Sequence, residues 1–470
     1  MKKSSDPKRF KSKGKDRRRL GIKISGRRRL RFKTTRRRRS APEDASRRRI
    51  AGRLDLKKLN KRLNLKELKS KGTAKVVAAS HTISKHTQNK MAVVISILAL
   101  ILTLCDTYIT LSVWGGVSWL VKGWLFLPTV VYWALILYLA LSGDTRQMLL
   151  NGIMWLTICV FLPTLIFTIF SLLGKGLGLM WGPLYPAFSW IGIVLAAIWF
   201  GIGIYGSAFG WRRLDVKTTE VSIKNLPKNF DGYRIAQLSD FHIGVYDATP
   251  DAVDRIVERV NSLHPDLIVF TGDLVNTSPE ELNRFTDVLS RFKAPDGVIS
   301  ILGNHDYCIY HRYVGDDTPE KALAKVVKAE EQMGWNLLRN QSVQITRGDE
   351  HIAIVGVENA GEKHFPNKAD LKKAMSELPA DECKILLSHD PSHWRREVLP
   401  ETDIPLMLAG HTHAMQFRLG NFSPSEWSYP EWGGLYSEGD RHLYVSTGIG
   451  GNIAFRFGVY PTIDMIVLRP

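Results

Sequence analysis

The sequence predicts an α/β fold, a two-sheet sandwich flanked by helices, set after a region of four transmembrane helices. Three observations carry that expectation. Four long apolar runs follow one another between residues 91 and 208. From about Asp215, short apolar strands alternate with helical segments and then outnumber them, the pattern of sheets covered by helices. Five of those strands run straight into Asp, Asn or His. The chain of 470 residues is long enough for two or three domains. The expected division is a basic, largely disordered cytoplasmic arm over 1–90, four membrane helices over 91–210 and a globular domain over 215–470.

The arm comes first. Residues 1–90 hold 34 Lys and Arg against 6 Asp and Glu, leaving 31 against 39 in the remainder. The basic character therefore belongs to the arm, and the main body is mildly acidic. Runs such as TRRRRS offer too little apolar surface to offset the entropy of ordering. Such a block either attracts anionic lipid headgroups or nucleic acid, or is a solvated tail that sets topology. In 54–69, Leu56, Leu59 and Leu63 share one helical face among Lys and Arg, which suits a membrane surface or an ordinary amphipathic helix. RRRLRF at 27–32 is not a signal peptide, because its apolar segment comes about sixty residues too late. The four cysteines, Cys105, Cys159, Cys308 and Cys383, form no C-x-x-C pair, which excludes a zinc ribbon and gives no disulfide framework.

The apolar runs lie near 91–113, 124–142, 149–172 and 187–208. Each approaches the ~20 residues that span a bilayer as a helix. Trp114, Trp119, Trp124, Trp181, Tyr185 and Trp211 cluster near their ends as an interfacial belt. Asp106 lies inside the first run, where an acid is either functional or bonded to a neighbouring helix. With the basic arm inside, four spans return the chain to the cytoplasm and make it an integral, multi-pass membrane protein. Three or five spans would put the C-terminal half outside.

In the last part, YRIAQLS, LIVFTG and GVISILG read as strands. Helices are expected from Thr249-Pro250 and from Ser278-Pro279, each pair a cap residue followed by proline, and over TPEKALAKVVKAEEQMG. HIAIVGV, KILLS, IPLMLAG, HLYVSTG and TIDMIVLR are further strands.

The polar strand ends form one constellation. Asp240 and His242 follow RIAQLS; Asp273 follows LIVFTG; Asn304, His305 and Asp306 follow VISILG; His389 follows KILLS; His411 and His413 follow PLMLAG. Ligands in open α/β sheets gather outside the carboxyl ends of strands. Asp240, His242, Asp273, Asn304, His389, His411 and His413 are too many donors for one tetrahedral zinc. They suit two divalent metal ions that share a carboxylate. The D-x-H and H-x-H pairs are expected to reach one site from one side of an extended backbone. Imidazoles and carboxylates without thiolate favour Mn, Fe or Zn.

This series resembles the calcineurin-like metallophosphoesterases, most closely their bacterial membrane-associated phosphohydrolase branch. The resemblance covers about residues 215–470, including LYVSTGIGG and the ending TIDMIVLR. It implies that Asp240, His242, Asp273 and His413 hold one metal, that Asp273, Asn304, His389 and His411 hold the other, and that Asp273 bridges. Two features depart from the branch. Ala414-Met415-Gln416 stands where two glycines often precede the Gln, and 421–441 is an aromatic insertion.

The expected reaction is hydrolysis of a phosphodiester, pyrophosphate or phosphomonoester by attack of a metal-bridging hydroxide. His305 would stabilise charge or protonate the leaving oxygen. Asp306 would accept a hydrogen bond from His305 and fix its tautomer, or serve as a turn residue. Arg456 is a phosphate-binding charge or a surface arginine. Trp427, Tyr429, Trp432 and Tyr436 line an acyl or sugar site, or pack within the insertion. Attachment to a membrane favours a lipid-linked phosphoester substrate. The competing readings are a nuclease with the same two-metal site and a non-catalytic, membrane-anchored protein that binds metals and anions.

Overall fold

The computed structural model describes residues 93–113, 115–142, 147–311, 313, 315–362 and 365–470. The basic arm, the amphipathic segment 54–69 and Trp114 lie outside them. Among the described residues, four helices are long and apolar enough to cross a membrane: Val93–Val113, Trp119–Leu139, Gln147–Leu177 and Leu184–Arg212. The third and fourth are antiparallel. A Cβ on Gly174, Gly192 or Gly203 would meet Phe188, Phe170 or Cys159 at 2.7–2.9 Å, so small residues let the two backbones approach. The third helix has 31 residues. At the rise of an α-helix that is about 46 Å, against a hydrocarbon core of about 30 Å. Its N-terminal part carries Gln147 and Asn151. This end lies beside the exit of the fourth helix, where the chain enters the globular domain.

Asp106 is buried and accepts the hydroxyl of Thr129 on the next apolar helix, which is the helix-bonding role. Trp211 departs from the expected belt. It is buried in the core of the globular domain, with its ring 5.9 Å from that of Tyr246.

Two six-stranded sheets follow. The strands of the first are β1 Asp215–Ser222, β2 Arg234–Leu238, β3 Leu267–Phe270, β4 Val298–Ser300, β5 Asn336–Leu337 and β12 Thr462–Arg469, in the order β1-β12-β2-β3-β4-β5. The second holds β6 Gln341–Arg347, β7 Glu350–Gly356, β8 Lys384–Leu387, β9 Leu406–Ala409, β10 Gly434–Glu438 and β11 Arg441–Val445, in the order β10-β11-β9-β8-β7-β6. Pairing is parallel from β2 through β5 and from β7 through β9 to β11. Side chains alternate across each strand. Ile235, Leu267, Val269, Ile385, Leu387, Leu406 and Leu408 fill the space between the sheets. Ala236, Ile268 and Phe270 face the helices outside the first sheet, and Leu386, Met407 and Ala409 face those outside the second.

The helices differ in detail from expectation. The first runs over Asp251–Ser262, and the buried hydroxyl of Thr249 makes no cap bond. SPEELNRFTDVLSRF breaks into a 3-10 segment, Pro279–Arg284, and a single turn, Thr286–Leu289. Ser278 and Glu281 form a capping box at its start. Glu281 also accepts the backbone N–H groups of Gly244, Asn276, Thr277 and Ser278, which ties this short segment to the strand-end loops. The third expected helix runs over Pro319–Met333, and the Thr318 hydroxyl caps it.

Candidate metal centre

The carboxyl ends of β2, β3 and β4 in one sheet and of β8 and β9 in the other converge on one cleft. Ligand-type atoms of Asp240, His242, Asp273 and His413 lie within 4.8 Å of one another, as do those of Asp273, His389 and His411. The two groups share Asp273. Its Oδ2 lies 3.6 Å from His242 Nε2 and 3.1 Å from His389 Nε2. His413 Nε2 lies 3.1 Å from His242 Nε2 and 3.3 Å from Asp240 Oδ1. His411 Nδ1 lies 3.2 Å from His389 Nε2. Bonds of about 2.1 Å to a central cation put neighbouring donors about 3.0–3.4 Å apart, so these spacings fit the edges of a coordination shell. The buried Asn304 Oδ1 accepts no hydrogen bond, and Asn304 lines the same cleft. An acceptor left over in a buried polar site also fits a cation.

The ring nitrogens are sorted by their outer bonds. His389 Nδ1 lies 2.7 Å from the Thr271 carbonyl, and His242 Nδ1 lies 3.0 Å from Asn276 Oδ1. Each donates there, which leaves Nε2 to face the site and free to bind a cation once it gives up any second proton. His411 is reversed: its Nε2 meets the Tyr429 hydroxyl at 2.7 Å, and Nδ1 faces the site. Burial and neighbouring imidazoles hold His242 and His413 well below the ordinary histidine range. Burial takes His411 down to about 4. Burial also opposes charge on His389, but the Asp273 carboxylate bonded to it pushes it up to about 10. Burial pushes Asp240 up to about 6.

The backbone of the site is not extended, contrary to the expectation from D-x-H and H-x-H. Asp240, His242, Asp273, His411 and His413 have φ of 53°, 43°, 60°, 73° and 50°, all left-handed. Left-handed turns reverse the chain after β2, β3 and β9 and aim side chains inward. Such positions cost about 1–3 kcal/mol each and gather at functional sites. The approach is close: a Cβ on Gly303 would strike the Asp273 carboxylate, and one on Gly410 would strike Ser239 and Asp240.

Two expected roles change. Asp306 does not touch the His305 ring. Its carboxylate accepts the backbone N–H groups of Asp273, Leu274, Val275 and Gly303 at 2.8–3.1 Å. The turn after β4 buries it beneath the β3 loop, where it holds Asp273 in place. His305 Nδ1 instead meets the Asn276 carbonyl at 2.5 Å, and its backbone N–H donates to Asp273 Oδ1. Arg456 is neither a phosphate ligand nor a surface residue. It is fully buried, and its guanidinium donates to the carbonyls of Thr447 and Gly450. Gly450 in turn donates to the Asp240 carbonyl, so Arg456 ties the LYVSTGIGG stretch to the first strand end.

The aromatic cluster divides. Tyr429 belongs to the site through His411. The Tyr436 hydroxyl accepts the N–H groups of Trp432 and Gly433, which is packing within the insertion. Trp427 is 79% exposed. The cleft, 590 Å³ in volume, is lined on its polar side by Asp273, Asn304, His305, His411 and His413, and on its apolar side by Met154, Phe365, Met415 and Ile453. Met154 belongs to the third apolar helix. Neither Met154 nor Asn276 was marked by the sequence as part of the site. Both lack a motif, and the third apolar run gave no reason to look for a neighbour of the centre.

Comparison with known proteins agrees with this geometry. A family model described as Calcineurin-like phosphoesterase matches residues 233–415. The chain is 31% identical over 283 residues to an uncharacterized metallophosphoesterase of Bacillus subtilis, YkuE, covering 56% of this chain and 91% of that protein. It is 30% identical over 265 residues to a transmembrane protein with metallophosphoesterase domain of Bos taurus, covering 54% of this chain and 57% of the relative. It is 29% identical over 292 residues to the UDP-2,3-diacylglucosamine pyrophosphatase LpxG of Chlamydia muridarum, covering 51% and 85%.

Proposed function

Because the chain belongs to the metallophosphoesterases, hydrolases of phosphoester bonds, we propose that it is a membrane-anchored enzyme acting on a lipid-linked phosphoester or pyrophosphate. In this reading Asp240, His242, Asp273 and His413 hold one divalent ion, and Asp273, Asn304, His389 and His411 hold a second. A pair of bound divalent ions supplies Lewis acidity toward phosphate oxygens and a water acidic enough to act near neutral pH. Mn, Fe or Zn suits the donor set.

The protein's own groups do the rest. His305 donates through Nδ1 to the Asn276 carbonyl and keeps Nε2 for the cleft, where the ring, when it carries a second proton, can donate to a phosphate or leaving-group oxygen. Asp306 fixes the β3 loop and so the Asp273 carboxylate. Tyr429 holds the His411 ring.

The observation that carries the lipid reading is the wall of the cleft. Met154 of the third apolar helix faces the same space as Asp273 and His305, so a substrate anchored in a bilayer can reach the site along that helix. The pyrophosphatase relative acts, by its name, on a diacylated sugar nucleotide, which supports the same class. A basic arm ahead of the first apolar helix favours a cytoplasmic catalytic domain, and anionic headgroups are the arm's natural counter-charge.

The test uses the full chain in detergent with Mn²⁺. Hydrolysis of a diacylated sugar-nucleotide pyrophosphate in mixed micelles should exceed that of single-stranded DNA. Preference for DNA would favour the nuclease, and no turnover of either would favour a binding protein.

A further inference from the structure

Asn276 stands between the candidate metal centre and the third apolar helix. Its Oδ1 meets His242 Nδ1 at 3.0 Å and its backbone carbonyl meets His305 Nδ1 at 2.5 Å. Its Nδ2 donates to Gln147 Oε1 at 2.5 Å and, at the longer distance of 3.4 Å, to the Asn452 carbonyl, which favours the same amide orientation. Gln147, in the first turn of the helix, donates through Nε2 to the Asn452 carbonyl at 2.8 Å and to Asn151 Oδ1 at 3.0 Å. Asn151 Oδ1 also accepts the backbone N–H of Ala454 at 3.3 Å.

The ends of this chain of bonds cannot be exchanged. A backbone carbonyl only accepts and a backbone N–H only donates. The Asn452 carbonyl therefore requires the Gln147 amide nitrogen, and the Ala454 N–H requires the Asn151 oxygen. Gln147 must then offer its oxygen to Asn276, and Asn276 its nitrogen to Gln147. Asn276 is left with an oxygen facing His242, so His242 carries its proton on Nδ1. Its Nε2 is free of a proton and points at Asp273. With the Asn276 amide turned over, an N–H would face Nδ1, the proton would move to Nε2, and that nitrogen could not bind a cation.

We propose that Gln147 is a positioning residue that fixes the His242 tautomer through Asn276, so that the third apolar helix sets the ligand geometry of one metal. The proposal rests on the reading of His242 as a metal ligand. It gives that helix a function in the centre beyond anchoring.

The test uses full-length protein in detergent, stripped of metal and titrated calorimetrically with Mn²⁺. Gln147→Leu should weaken one of two sites about 10–100-fold, the usual effect of losing an outer partner of a ligand, and leave the other unchanged. Asn276→Asp offers His242 an acceptor on either oxygen, so orientation no longer matters. Asn276→Asp combined with Gln147→Leu should therefore regain wild-type affinity, which a mere packing role for Gln147 would not allow. Two unaltered sites in Gln147→Leu, or a double variant as weak as the single one, would overturn the proposal. Imidazole nitrogen resonances of the metal-free wild-type chain give a readout that needs no variant. His242 protonated on Nδ1 supports the relay, and protonation on Nε2 overturns it. His242→Ala separates the levels: if it keeps both sites, the metal reading fails and the relay with it. If it loses one while Gln147→Leu loses none, the relay alone fails.

Discussion

His305 engages its Nδ1 on the Asn276 carbonyl and its backbone N–H on Asp273, and it lies in neither donor group. His305→Ala should keep both metals and lower kcat by about 10²–10⁴-fold, the range for loss of a general acid. Loss of a metal, measured by elemental analysis, would mean that the ring is a ligand. Asp306 is a different case, because four backbone N–H groups converge on its carboxylate. Asp306→Asn turns an amide nitrogen toward two of them. Stranded donors of this kind cost about 1–3 kcal/mol each, so thermal unfolding should show a loss of roughly 2–6 kcal/mol together with weaker metal binding. The sequence marked both residues as partners of the site because they follow a strand in a polar triplet. It did not show which way Asp306 points. That direction is set by the β3 loop, 33 residues away in the chain.

At the scale of elements, the inner strands of both sheets were legible as short apolar runs, because both faces of each are largely buried. The edge strands were not. β1, DVKTTEVS, is mostly polar and half-exposed, and it is a strand only because β12 pairs with it along its whole length. The left-handed strand ends were hidden for a related reason: Asp and His at positive φ are held there by tertiary bonds, not by local preference. The departure at Ala414-Met415-Gln416 now has a physical meaning. His413 through Gln416 all have φ between 46° and 56°, the region where glycine is free and L side chains are strained. Gln416 Nε2 donates to the carbonyls of Ile453 and Phe455 and holds this turn. Met415 is 48% exposed. Met415→Gly should therefore raise stability by about 1 kcal/mol, measured by chemical denaturation of the detergent-solubilised protein. A clear loss would show that the Met415 side chain contributes more than the turn costs.

For the whole molecule, the apolar runs and the strand-end constellation were each visible, but their meeting was not. Contact between the third apolar helix and the cleft joins residues about 300 apart, as in the bond from Gln147 to Asn452. No local pattern reports such a distance. That contact carries the substrate reading. Met154→Asp should raise KM for a diacylated sugar-nucleotide pyrophosphate in micelles at least tenfold, since it sets a charge against an acyl chain. Turnover of a small aryl phosphodiester should change little. Equal loss on both substrates would show that Met154 supports the fold and not the lipid.

The most direct measurement of the two-metal claim counts bound Mn per chain and follows aryl phosphodiester hydrolysis in wild-type and Asp273→Ala full-length protein. Two ions and turnover in the wild type, with turnover abolished and both sites weakened in Asp273→Ala, are expected because Asp273 Oδ2 stands between both donor groups. Undiminished turnover in Asp273→Ala, or loss of one ion with the other bound as tightly as before, would contradict a shared carboxylate.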